Sequence, residues 1–191
     1  MKLQLLTTCL MALCVASFAA ADFIDFTPTP ADLYDLDHGW YYTWGIQADV
    51  DVSNLVITGA TLSFDDIRNW DSSSNDLWVH LLDSAPEGVR MYRDYGGGGD
   101  AFAMQGVLLE HYEDLPSTAQ DITYTFSASE IQALNAYLQN GANFALGFDP
   151  DCHFYNEGVT LVLEYSGVPE PASMTLLASG AVLLFLRRRR T

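Results

Sequence analysis

The chain has 191 residues, 49% of them hydrophobic, with 25 carboxylates against eight Lys and Arg and a formal net charge of −17. Between residues 22 and 168 only Arg68, Arg90 and Arg93 oppose 24 of those carboxylates, and lysine is absent. A field of that sign repels phosphate backbones and anionic lipid, so nucleic acid is excluded as a partner and a soluble, cation-attracting or matrix-associated domain is favoured.

Met1 to Ala21 reads as a secretory signal peptide. Lys2 gives a positive start, Leu3 to Val15 an apolar centre, and Ala19-Ala20-Ala21 a small-residue cleavage site. Cleavage there starts the mature chain at Asp22 and removes Cys9 and Cys14; lipoprotein processing at Cys14 lacks the usual small neighbour. Residues 22–166 then suffice for one extracytoplasmic domain with a real core and are too few for two. Cys152 is left alone in that domain, which excludes an internal disulfide and leaves a mixed one open.

The body reads as strands. Trp40–Gln47, Leu55–Ile67 with a break at Gly59, Asp76–Asp83, Val107–Tyr112 and the apolar run Asn143–Phe148 are each predicted as one. Alternation is clearest in Asp121–Ser127, where Ile122, Tyr124 and Phe126 share a face, and in Val159–Tyr165, where Val159, Leu161, Leu163 and Tyr165 do. One helix interrupts them. Ser127 with Glu130 forms a capping-box pattern, Ile131, Leu134 and Leu138 fall on one helical face, and Asn140-Gly141 supplies the stop. Many short strands with one crossing helix predict a mainly β fold, an antiparallel β-sandwich of jelly-roll type with the helix lying across it. The segments 69–76 and 95–100 are predicted loops, the second a glycine run without the lysine or spacing of a phosphate cradle.

Chemistry-bearing residues concentrate in Asp149-Pro150-Asp151-Cys152-His153-Phe154-Tyr155-Asn156-Glu157, between the last two strands. Asp149, Asp151, Asn156 and Glu157, with backbone carbonyls, offer the oxygens that calcium takes; Asp-Pro and Asn-Glu-Gly are equally ordinary turn chemistry. Asp49 to Asn54 mimics the start of an EF-hand loop but lacks its glycine and its closing glutamate, and Asp65-Asp66 is read as a strand end. Zinc is disfavoured, because His38, His80, His111 and His153 are scattered and Cys152 and His153 are adjacent. No nucleophile elbow, zincin motif or phosphate loop points to catalysis, so the chain is read as a non-enzyme. Trp40, Tyr42 and Trp44 share one strand face, either as core or as a platform for stacking on glycans.

The tail, residues 167–191, has three parts in order: Val168-Pro169-Glu170-Pro171, an apolar run from Ala172 to Leu186, and Arg187, Arg188, Arg189 and Arg190. Two prolines around a carboxylate resist helix and sheet and leave a peptide an enzyme can grip. The apolar run is about 22 Å long as a helix, short of the roughly 30 Å hydrocarbon core, so snorkelling arginines or bilayer thinning must help it span. The arginines stay cytoplasmic by the positive-inside rule, which puts the acidic domain across the membrane.

This order resembles the PEP-CTERM sorting signal of bacterial surface and exopolysaccharide-associated proteins, a tail also called an ice-binding protein C-terminal domain, although the body shows no repeated Thr-x-Thr face. The resemblance implies an exosortase-like membrane transpeptidase that recognises Pro169, Glu170 and Pro171, with Ala172–Leu186 as transient anchor and Arg187–Arg190 as stop-transfer tail. It implies an exported protein destined for the cell surface or matrix, its ectodomain structural or adhesive. A carbohydrate-binding module of the exopolysaccharide, or a calcium-dependent adhesion domain, is the alternative.

Overall fold

The computed structural model describes residues 21–47, 55–95, 98–141 and 143–167. The signal-peptide segment up to Ala20, the Asp49–Asn54 stretch, Gly96, Gly97 and the sorting tail from Val168 lie outside the described residues. In chain order the elements are β1 (Asp22–Phe26), β2 (Trp40–Gln47), β3 (Leu55–Asn69), β4 (Asp76–Leu82), β5 (Gly88–Arg93), β6 (Val107–Glu113), β7 (Gln120–Thr125), α1 (Ala128–Gly141), β8 (Asn143–Pro150), β9 (Phe154–Tyr155) and β10 (Gly158–Gly167). One sheet runs β1-β10-β3-β7, with β9 pairing on β3; the other runs β5-β2-β8-β4-β6. Every strand pair is antiparallel. Leaving aside β5 and β9, the orders β1-β10-β3-β7 and β2-β8-β4-β6 are those of a jelly roll.

The period-two pattern explains which faces meet. Val159, Leu161 and Leu163 of β10 lie opposite Phe64, Leu62 and Ala60 of β3, and all six are buried. From the other sheet come Tyr42, Trp44 and Ile46 of β2, Leu77, Val79 and Leu81 of β4, and Phe144, Leu146 and Phe148 of β8. The rings of Phe64 and Phe148 meet edge to face across the sandwich, centroids 6.0 Å apart. Gly59, read from the sequence as a break, lies inside β3 beside a register shift against β10: Glu164 pairs with Gly59 and Tyr165 with Ile57. β3 also runs past Asp65-Asp66, which sit where its register with β7 shifts rather than at its end.

The helix forms as the capping box dictates. The Ser127 amide donates to Glu130 Oε2 at 2.6 Å, and the Glu130 amide to Ser127 Oγ at 3.4 Å. Leu134 and Leu138 point into the core, and Asn135 ties α1 to the first sheet by accepting from the Ile57 amide and donating to the Ile57 carbonyl, both at 2.9 Å. β1, β5 and β9 are absent from the sequence reading, as is the turn Leu33–Leu36. Leu33, Tyr34, Asp35 and Leu36 have φ between 42° and 59°, and the two leucines are fully buried. For L-residues that conformation costs roughly 1–2 kcal/mol each, so burial of both leucine side chains has to offset it.

Candidate functional site

β8 is the strand on which the site is built. It lies between β2 and β4 and is buried on both faces. Phe144, Leu146 and Phe148 enter the main core, which leaves Ala145, Gly147 and Asp149 on the opposite face. The segment from Gly98 to Gly106 covers that face. Phe102 packs with Leu82 and Ala145, flanked by Tyr41 and Ala85. Its ring lies so close to Gly147 that a Cβ there would come within 2.9 Å of it. Asp100 fastens the segment to β4, its Oδ2 lying 3.1 Å from His80 Nε2 while its Oδ1 accepts the Phe102 amide at 2.9 Å. The second ring nitrogen of His80 is 3.2 Å from the Gln105 carbonyl.

Asp149 ends the covered face with none of its surface exposed. Its Oδ2 accepts the Ala101 amide at 2.6 Å, whereas its Oδ1 has no hydrogen-bond partner. Asp151 repeats the arrangement: Oδ2 accepts the Gly99 amide at 3.0 Å, and the buried Oδ1 has no partner. Gly98 and Gly99 have φ of +120° and +91°, values that glycine reaches without penalty and that aim the Gly99 amide at Asp151. Asp94, the residue after β5, completes the group, since one carboxylate oxygen from each of Asp94, Asp149 and Asp151 lies within 4.8 Å of the others. Burial, with the charges of Asp94, Asp151 and Asp100 adding to it and the Ala101 amide opposing it, pushes the Asp149 carboxyl up to about 7. Burial raises Asp151 as well, with Asp76 and Asp94 contributing.

The calcium set expected from the sequence is therefore divided. Asp149 and Asp151 meet, but Asn156 donates from Nδ2 to the Asp32 carbonyl at 2.8 Å, and Glu157 is exposed, its amide bonded to the Asp65 carbonyl at 2.9 Å. The cause is β9, which pairs Tyr155 with Arg68 and Phe154 with Asn69 of β3, carrying the chain to the first sheet, while Asp151 stays on β4 through the Asp76 carbonyl. The aromatic row needs the same correction as a glycan platform. Tyr42 is fully buried and Trp44 is 4% exposed, so that face is core; Trp40 is half-buried, with the Arg93 guanidinium 4.7 Å from its ring centre. Cys152 is buried against the core, and His153 Nδ1 lies 3.7 Å from Asp37.

Two other acidic groups occur among the described residues. Asp65, Asp66 and Asp121 are exposed. Asp76, His111 and Glu113 cluster on the strand pair β4 and β6, where His111 Nε2 is 2.7 Å from Asp76 and its ring stacks on Trp78 at 4.5 Å. In neither group does a buried carboxylate oxygen lack a partner, as in Asp149.

A family model, described as the PEP-CTERM protein-sorting motif, matches residues 167–190. The chain carries a PEP-CTERM sorting motif at its C-terminus. That motif implies export, transient membrane anchoring and processing by an exosortase, a membrane enzyme. Among the described residues no helix is long and apolar enough to cross a membrane. No curated protein matches the chain. Among solved structures it is similar to a latent aurone synthase (polyphenol oxidase) from natural source, at 8% identity and a TM-score of 0.35, over 80% of this chain and 26% of that one. It is also similar to the CBM22-1-GH10 modules of Clostridium thermocellum xylanase 10B, at 8% identity and a TM-score of 0.29, over 68% of this chain and 27% of that one. The chain thus spans about a quarter of the length of these solved chains, and likenesses so distant carry no argument about activity.

Proposed function

We propose that the chain is a surface or extracellular-matrix protein delivered by its tail, whose acidic β-sandwich acts as a structural or adhesive component once exosortase has processed it. The observation that supports this reading is the place of the motif. The match begins at Gly167, the last residue of β10, so a cut anywhere from Val168 to Pro171 leaves all of β10 in place. The signal peptide starts export, the run Ala172–Leu186 holds the chain in the membrane, Arg187–Arg190 stop transfer, and the enzyme grips Pro169-Glu170-Pro171. A domain of high negative charge then meets matrix polymer or neighbouring surfaces through bridging cations rather than through direct contact with anions.

The test exchanges the grip and leaves the anchor alone. With Pro169 and Glu170 both changed to Ala in the producing cells, the chain should accumulate in the membrane at full tail length while the unchanged protein is released or displayed. Release of the variant at the unchanged rate would contradict the proposal.

A further inference from the structure

The Gly98–Gly106 segment, the end of β5 and the end of β8 meet at a group of three carboxylates. We propose that Asp94, Asp149 and Asp151 bind one calcium-class divalent cation, which locks the segment onto the outer face of the second sheet.

Four observations carry this. Asp149 is wholly buried, and its Oδ1 has no partner although an unpaired buried carboxylate oxygen is costly. Asp151 Oδ1 is in the same condition beside it. The loop amides of Ala101 and Gly99 each take the other oxygen, Oδ2, so the two carboxylates are held in place with one oxygen apiece left over. Asp94 then brings a third carboxylate to within 4.8 Å, and a divalent cation among the oxygens would offset the repulsion between them.

The chemistry selects the ion. All three side chains are hard carboxylates, and neither a thiolate nor an imidazole belongs to the group, which points away from zinc and copper. Calcium takes six to eight oxygen ligands at about 2.3–2.6 Å in flexible geometry, which three carboxylates with backbone carbonyls and water can supply. Magnesium needs shorter bonds, close to octahedral geometry and several retained waters, which a group anchored by a fully buried aspartate accommodates poorly. The site is different from the set that the sequence pointed to: Asp94 replaces Asn156 and Glu157, and it arrives from 55 positions upstream of Asp149.

The experiment uses the full chain purified in detergent, stripped with EDTA and dialysed. Calcium chloride is titrated by calorimetry, with magnesium chloride and matched potassium chloride as comparisons, and thermal melts are recorded alongside. The expected result is one calcium per chain at this site, a melting temperature several degrees higher, and weaker binding of magnesium by roughly tenfold or more. Asp149→Asn keeps the size of the side chain and removes the buried charge, so it should fold and should lose the calcium response. A second variant, Asp94→Asn, lies at a less buried position and should weaken binding at least tenfold. Asp65→Asn with Asp121→Asn, in the exposed group, should bind as the unchanged chain does. Absence of calcium binding, preference for magnesium, or a response that survives both Asp149→Asn and Asp94→Asn would overturn the proposal. So would loss of the response in the exposed-group variant.

Discussion

Asp149 is held at odds with its surroundings. Its carboxyl stands at about 7 in the folded chain against 3.8 for the free group, with burial the largest cause. A folded value raised above the unfolded one contributes stability that is fully present below about pH 4 and is lost as pH rises through about 7. In EDTA, therefore, the urea midpoint should fall between pH 5 and pH 8, by on the order of a few kcal/mol in unfolding free energy, and Asp149→Asn should flatten the slope. A midpoint independent of pH in the chelated protein would contradict this account of Asp149. Gly147 poses a steric constraint of the same size. Adding a methyl group there brings it within 2.9 Å of the Phe102 ring, so the ring, packed with Leu82 and Ala145, has to shift. Gly147→Ala should cost about 1–3 kcal/mol by overpacking, read from chemical denaturation; an unchanged midpoint would show that Phe102 is not held as described.

Among the elements, the ones that carry a strong local signal were legible. β2 begins and ends where its aromatic and β-branched run does, and α1 follows its capping box and its Leu134 and Leu138 stripe. β5 was not, because Gly-Val-Arg-Met-Tyr-Arg mixes polar and apolar side chains at a sheet edge, where only one neighbour, β2, needs to be satisfied. β1 is a five-residue edge strand whose pairing partner, β10, is the last strand of the fold, and no local pattern announces a contact across the whole domain. The same limit hid most of the site. Asp149 and Asp151 were readable as an acidic turn, but Asp94 follows the unread β5, and the glycines that serve Asp151 look in sequence like a mobile loop. For the aromatic row the shared face of Trp40, Tyr42 and Trp44 was legible and its direction was not, since a strand's period of two says which residues go together and leaves open which group faces the core. At this scale the helix joint gives a further prediction. Asn135 satisfies both the amide and the carbonyl of Ile57, so Asn135→Ala leaves two backbone groups without those partners and should destabilise the fold by about 1–3 kcal/mol in a urea titration. Loss of less than about 0.5 kcal/mol would mean that water replaces the side chain there.

Across the whole molecule, the tail and the acidic domain have different tasks. The tail fixes where the chain goes: the PEP-CTERM motif starts where β10 stops, and its prolines, apolar run and arginines are each suited to one step of membrane handling. The domain fixes what arrives there, a jelly-roll sandwich of strongly negative charge whose ten described strands lie within residues 22–167. Stability on the outside then rests on the burial between the two sheets, where Phe148→Ala would remove a fully buried ring from contact with Phe64 and should cost about 3–5 kcal/mol. The charge bears on any contact, because a surface with so few cations repels anions unless metal ions lie between.

Delivery by removal of the tail is read from the intact mass of the protein recovered from its own cells, with membrane and secreted or surface fractions kept apart. The expected result is a membrane form that retains Arg187–Arg190 and an outside form that begins at Asp22 and ends between Val168 and Pro171, with or without an attached group. If every molecule keeps Arg187–Arg190 and stays in the membrane, the tail is a plain anchor and the account is wrong.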